Sequence, residues 1–241
     1  MNISSYATSV IKVLTLVIAM CAALTAQAAV TAGKVEILRG KVEAIGADNT
    51  ERRLSKGDPV YEGDRVLTKR RSLVMVRFED NTKFALGANA EMAVDRFSNT
   101  GSAEDDAITT RVVKGAFRFV SGLIAKRKPS SMSVRLAVAT IGIRGTHVAG
   151  EATEDSATIV LLEPDEEEVK LAEDEQVKVT AIDVSNQFGA VAIDKAGYGT
   201  TVPDKNSPPS PPQRMRLRTI DNLMRSIANA QRVSVPRPVM R

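Results

Sequence analysis

Short alternations of apolar and polar residues, separated by turn residues, dominate the middle of the chain. Lys34–Leu38 alternates, Gly40 interrupts it, and 42–45 resumes, which predicts a strand, a tight turn and a strand. Two Gly-Asp pairs, Gly57-Asp58 and Gly63-Asp64, bracket a very short apolar stretch and read as two turns around a short strand. From Ser72 to Phe78 the residues Val74, Val76 and Phe78 point one way, with Met75 and Arg77 the other. Glu79–Thr82 is then a hairpin turn, Phe84–Leu86 returns, Gly87–Ala90 turns again, and Met92 and Val94 lead on to Phe97. Asn99–Asp106 is polar and reads as an exposed loop; 108–113 and, after Gly115, Phe117 and Phe119 read as strand again.

The stretch Ala137–Val148, mostly β-branched or apolar, carries Gly142, Ile143, Arg144, Gly145 and Thr146 in its middle. It predicts a buried or half-buried strand that bends between Gly142 and Gly145. An arginine in such a strand needs a partner or water for its head. Two readings stand for Arg144: it holds an anion or a partner's carboxylate, or its fork caps carbonyls or an internal acid and ties two parts of a β-fold together. The run 157–162 reads as a strand covered on both faces, and 163–168 as an acidic turn. Val169–Leu171, Val177–Val179 and Val191–Ile193 alternate as further strands, with Tyr198–Val202 as a last edge strand.

Different patterns flank this region. Residues 1–28 hold a 12-residue apolar run, Val13–Leu24, and end in Ala26-Gln27-Ala28, which reads as a cleaved signal peptide. Lipid attachment at Cys21 is disfavoured by the large Met20 before it. Residues 203–213, rich in Pro and Ser, read as a linker. In the tail, 214–241, Leu217, Ile220, Met224 and Ile227 make a helical stripe, while Arg218, Arg225 and Arg232 recur every seven residues on a nearby face. The expected organisation is therefore a signal (1–28), one domain (29–202), a linker (203–213) and a basic, partly helical tail. The fold class is all-β: a meandering β-sandwich or roll-like domain with a short C-terminal amphipathic helix.

Composition narrows the chemistry. The chain of 241 residues has no Trp, one Cys and one His. A His-based triad or a Cys/His zinc centre therefore has almost nothing to be built from. No catalytic residue, metal or cofactor is assigned, and the chain is read as a non-enzyme. The Gly-Asp pairs lack the alternating oxygen ligands of a compact calcium loop, so Asp58 and Asp64 read as turn residues. The net charge of +4 is concentrated in the tail, where seven Arg stand against Asp221. Candidate contact residues are the basic Lys126, Arg127 and Lys128 with Arg218, Arg225 and Arg232. The stretch 125–131 has no interleaved aromatics, and nucleic acid is not expected as a partner.

Residues from about 33 to 185 resemble the FecR family domain, named for the iron-dicitrate transport regulator. The resemblance lies in Gly40-Lys41-Val42, in Leu54-x-x-Gly57-Asp58-x-Val60-x-x-Gly63-Asp64-x-Val66-x-Thr68, and in Ser72–Phe78 with Asp80-Asn81-Thr82. Val112-x-Lys114-Gly115 through Phe119 and Ile143-Arg144-Gly145-Thr146 complete it. Leu136-Ala137 stands where the family usually has Thr-Pro, Asn81 replaces a turn glycine, and Pro164 with acids replaces another. The resemblance implies a periplasmic or secreted domain. The best-known members regulate a sigma factor through a cytoplasmic helical segment ahead of a membrane span, and this chain is expected to stand alone without them. Its expected role is a binding or scaffold module for an unidentified envelope protein or cell-wall polymer, with anionic membrane-surface contact through the tail. The alternative is a component of transmembrane signalling or sigma-factor regulation acting through a separate partner.

Overall fold

The computed structural model describes residues 29–163, 181–215, 218, 220–222 and 224–225. The chain divides into two compact units, Met1–Val30 and Thr31–Arg241, and the fold below belongs to the second. The signal-peptide reading of 1–28, the strands expected at 169–171 and 177–179, the acids 165–168 and Arg232 lie outside the described residues.

The strands in chain order are β1 (Thr31–Arg39), β2 (Val42–Ile45), β3 (Glu51–Arg53), β4 (Pro59–Tyr61), β5 (Arg65–Thr68), β6 (Leu73–Phe78), β7 (Lys83–Leu86), β8 (Glu91–Ser98) and β9 (Ala107–Val120). A short helix α1 (Leu123–Arg127) and a 3-10 turn (Pro129–Ser131) follow. Then come β10 (Met132–Arg135), β11 (Thr140–Arg144), β12 (His147–Ala152), β13 (Ala157–Leu162), β14 (Ala181–Asn186), β15 (Gly189–Ile193), β16 (Tyr198–Val202) and β17 (Gln213–Arg214). One layer runs β4-β1-β6-β7-β9-β12-β13-β16-β17. The other runs β3-β2-β5-β8-β9-β10-β11-β14-β15. Within this all-β architecture, β10 runs parallel to β9.

β9 belongs to both layers, and Gly115 is its corner. Residues 107–114 pair with β8 in the second layer, and 117–120 pair with β7 in the first. Before the corner Ile108, Thr110 and Val112 point inward; after it Phe117 and Phe119 do. The change of parity is what one extra residue at a bulge produces. Gly115 has φ +100°, and a Cβ there would lie 2.3 Å from that of Ala90, so only glycine fits. The inner faces form one hydrophobic core containing Val35, Val76, Phe84 and Phe119 from one layer and Val66, Val94, Ile108 and Ile141 from the other. Phe78 meets Phe97 across the layers at 5.8 Å between ring centroids, and Phe84 meets Phe119 edge-on at 5.5 Å.

Several expectations change here. The apolar stretch 137–148 is two strands, not one. β11 lies in the second layer and β12 in the first, and the chain crosses at Gly145, where φ is +67°. Gly142 is an ordinary strand residue opposite Ser133 and Asp183, so the bend is at Gly145 alone. The basic stretch 125–131 overlaps the end of α1 and holds the 3-10 turn. β16 pairs with β13 on one side and β17 on the other.

The stretch expected as a linker is tied to both layers, to β16 of the first and to β14 of the second. Thr200 donates its hydroxyl to the Ser210 carbonyl at 2.7 Å, and the Thr201 amide donates to Ser210 Oγ. Asn186 donates to the Ser207 carbonyl at 2.8 Å, and Pro209 is buried. Proline brings no amide hydrogen, so such a strap is held through its Ser residues and carbonyls.

Candidate functional site

The acids of the Gly-Asp turns are spent on the backbone. Asp58 accepts from the Ser55 amide at 2.8 Å, while Gly57 and Asp58 bond to Val35 of β1 on both its donor and acceptor sides. Asp64 is 2 % exposed; it accepts from the Tyr61 amide at 2.7 Å and pairs with Arg52, whose guanidinium lies over the Tyr61 ring. Burial raises the Asp64 pKa above its ordinary value, outweighing the Tyr61 amide and Arg52. Gly63 donates to Val94, and Val94 donates back to Asp64, which fastens this turn to β8.

Asp80 is a second buried acid that the sequence places only in a turn. It is fully buried and accepts from the Thr82 amide at 2.9 Å and the Thr82 hydroxyl at 2.8 Å. It also accepts from the Ile124 amide at 3.2 Å, and Thr82 Oγ1 accepts from the Gly122 amide. Asp80 and Thr82 thus satisfy orphan donors at the start of α1, a cap supplied from another part of the chain. The one signal in the sequence was the Asp-x-Thr spacing, which is a turn pattern wherever it occurs.

Ile143 and Thr146 are buried, and Arg144 is not. The Arg144 side chain is 60 % exposed and pairs with Asp183 on the neighbouring strand β14. The expected buried arginine is therefore a cross-strand surface pair, because the side chain beside the Gly145 corner falls on the open face of the second layer. Of the basic stretch, Arg127 pairs with buried Asp106 at 2.6 Å and donates to Asn99 at 2.8 Å. It acts as a strut for the 99–106 loop, where Asp106 also accepts from the Thr100 amide at 2.6 Å. Lys126 is exposed and Lys128 half-buried. The structure brings none of these residues into a common site with the Gly-Asp turns.

A second cluster lies on the outer face of the first layer. The register carries one row across it: Ile37, Met75, Ala85, Arg118, Ala149, Val160 and Gly199. Ile37, Leu73, Met75, Ala85, Ala116 and Ala149 are buried there together with Ile220 of the tail, and Met224 packs against them. Alanines floor this face, so a helix can approach closely. Residues 218, 220–222 and 224–225 are helical, and Arg218 and Arg225 are exposed. Arg225 donates to Asn222 Oδ1 at 2.6 Å. A cavity of about 430 Å³ reaches Asn222, Arg39, Arg71 and Glu151, and another of about 270 Å³ reaches Ile220, Asp221 and Arg214. Among the described residues there is no group of His, Cys, Asp and Glu fit for a metal ion, and no helix long and apolar enough to cross a membrane.

Residues 64–165 match the family model described as FecR protein. They include β6, β9 and the 143–146 corner. No curated protein matches the sequence. Among solved structures, a cell surface anchoring domain is 31 % identical over 25 % of this chain and 80 % of its own length, with a TM-score of 0.25. Two crystal structures of a proposed anti-sigma factor from Parabacteroides distasonis ATCC 8503 are 11 % and 12 % identical, with TM-scores of 0.47 and 0.48. Each alignment covers 66 % of this chain and 64 % or 63 % of the other, so this chain spans under two thirds of their length. Over residues 64–165 the chain is similar to the FecR protein family.

Proposed function

We propose that this FecR-domain chain is a non-catalytic binding or scaffold module of the cell envelope. The observation that carries the reading is how the motif residues are used. Asp58, Asp64 and Asp80 bond to backbone amides of their own turns, and Arg144 to a neighbouring strand. They build the β-framework, and what remains for function is its outer surface. The tail helix supports the same reading: Ile220 is buried against the sheet while Arg218 and Arg225 face solvent. Such a face suits a partner rich in carboxylate or phosphate, such as an acidic envelope protein or a cell-wall polymer.

The experiment is crosslinking in intact envelopes, comparing the wild-type chain with Arg218→Glu/Arg225→Glu. Both side chains are exposed, so the variant keeps the fold. Recovery of one specific protein, or retention on cell-wall sacculi, with the wild type and not the variant is the expected result. Equal recovery would place the contact elsewhere on the β-domain. No recovery with either would refute the reading. The second reading, a signalling component acting through a separate partner, is favoured by the family match; a regulator recovered as that protein would select it.

A further inference from the structure

Among the described residues, the four outer strands of the two layers differ in how well they are guarded. β3 is Glu-Arg-Arg, three residues long, with Arg52 tied to Asp64. β4 begins with Pro59, and β17 has two residues. Natural edges are blunted in these ways, by charge, proline or shortness. β15 is different: five residues, Gly189-Ala190-Val191-Ala192-Ile193, with no charge and no proline. Ala190 and Ala192 are exposed. Among the described residues, the strand whose register pairs with it is β14, through Ile182–Asn186, and no register pairs its other side. The Pro-rich strap approaches at the Gly189 end, where Pro208 lies near the glycine. At the hairpin tip beside it Phe188 is 45 % exposed, one of three exposed large hydrophobics in the described residues.

The sequence of this edge matches itself. Ala-Val-Ala is symmetric about Val191. An antiparallel pairing with a two-fold axis at Val191 sets Ala190 opposite Ala192 of a second copy, twice, and Gly189 opposite Ile193. Asp194 then falls opposite Phe188, and Lys195 opposite Gln187, so no like charges meet. Val191 is only half-buried against the main core, and a matching valine beside it would complete its burial. A two-fold contact of this kind uses one patch twice and closes on itself.

We propose that β15 is a homodimerisation edge, and that its occupant is β15 of a second copy of this chain. Pairing extends the second layer through the two-fold axis and removes the row of unpaired backbone groups that an open edge presents. The dimer sets two basic tails on one particle.

The test uses the full chain in a Cys21→Ser background, which leaves no other cysteine. Ala190→Cys and Ala192→Cys are prepared separately in reduced form, then oxidised either alone or as a mixture. The two-fold register brings position 190 of one copy against position 192 of the other, within disulfide reach. The expected result is a disulfide dimer in the mixture well above either variant alone. In parallel, sedimentation of the chain without cysteine is followed over a wide concentration range. It should show a reversible monomer–dimer equilibrium that Ala192→Lys weakens by about tenfold or more, since each copy then carries a lysine into the seam. A monomer at every concentration overturns the proposal. So does a dimer indifferent to Ala192→Lys, or crosslinking no greater in the mixture. A monomer that instead gains an extended peptide of another protein on β15 also overturns it, and assigns the edge to a different occupant.

Discussion

Ile220 is the residue on which the seating of the tail helix turns. It is 4 % exposed and lies in the outer cluster with Ile37, Leu73, Met75, Ala85, Ala116 and Ala149. Truncating a buried isoleucine to alanine costs about 2–5 kcal/mol. Here the lower end applies: cavities already flank the helix, and alanines floor the site, so few contacts are lost per methyl. The cost also has a ceiling. A helix that loses its anchor can lift off locally, and the loss then cannot exceed the free energy that docked it. Ile220→Ala is therefore expected to raise the open population of the tail about thirtyfold, the factor equivalent to about 2 kcal/mol. The assay is trypsin cleavage after Arg218 and Arg225 under conditions where opening is fast, so that the rate tracks that population. Unfolding of the β-domain by denaturant should move much less than cleavage does. Asp221→Asn, on the exposed side, should change the rate by the equivalent of less than about 0.5 kcal/mol. Cleavage unchanged by Ile220→Ala would show that the helix is not held by this contact and would sink the argument.

Gly115→Ala should destabilise the whole domain by about 2–5 kcal/mol, combining a strained φ with a methyl driven onto Ala90; denaturant unfolding measures it. Arg144→Leu should cost no more than about 1 kcal/mol in the same assay, because its pair with Asp183 is mostly exposed; a loss of several kcal/mol would restore the buried reading. On acidification, Glu43 and Asp106 should withdraw stability. Lys69 and Lys41 hold Glu43 at about 2 against an ordinary 4.5; burial opposes ionisation of Asp106, but the Thr100 amide and Arg127 together bring it below 3.8. Both are lowered in the folded state, so their contribution is present above the ordinary values and lost as pH falls through the folded ones. Asp64, raised by burial, acts with the opposite sign: its contribution is fullest below 3.8 and declines as pH rises through its folded pKa. A melting series from pH 5 to about pH 2 should fall, and Glu43→Gln should flatten it; an equal slope in the variant would refute the role of that trio.

Much of the framework was legible because it is local. A glycine between two alternations turns at Gly40, and Gly57 and Gly63 take positive φ where the Gly-Asp pairs stand. Asn81 and Asn89 adopt the left-handed conformation in the turns expected around them. β2, β6 and β7 begin and end close to the alternating runs. Alternation reports which side chains share a face, and it needs no knowledge of distant residues. The roles of individual polar residues were much less legible. Arg144 looked costly inside an apolar run, yet a corner one residue later puts it on the surface. Arg127 looked like part of an exposed patch and is a strut, because Asp106 lies far off in the chain and close in space.

What the sequence by itself determined was the class of fold, the turns and the family to which residues 64–165 are matched. These depend on side-chain periodicity and on backbone conformations written within a few residues. What only the tertiary structure decided was burial on the second face of each strand. Met75 alternates with Val74 and Val76 and reads as an outward residue, yet it is 2 % exposed, because a helix some 145 residues later covers it. The partition of β9 between layers and, among the described residues, the open side of β15 belong to the same category. Which strand ends at an edge, and which face is covered, are set by long-range pairing, and no local pattern encodes the neighbour a strand acquires.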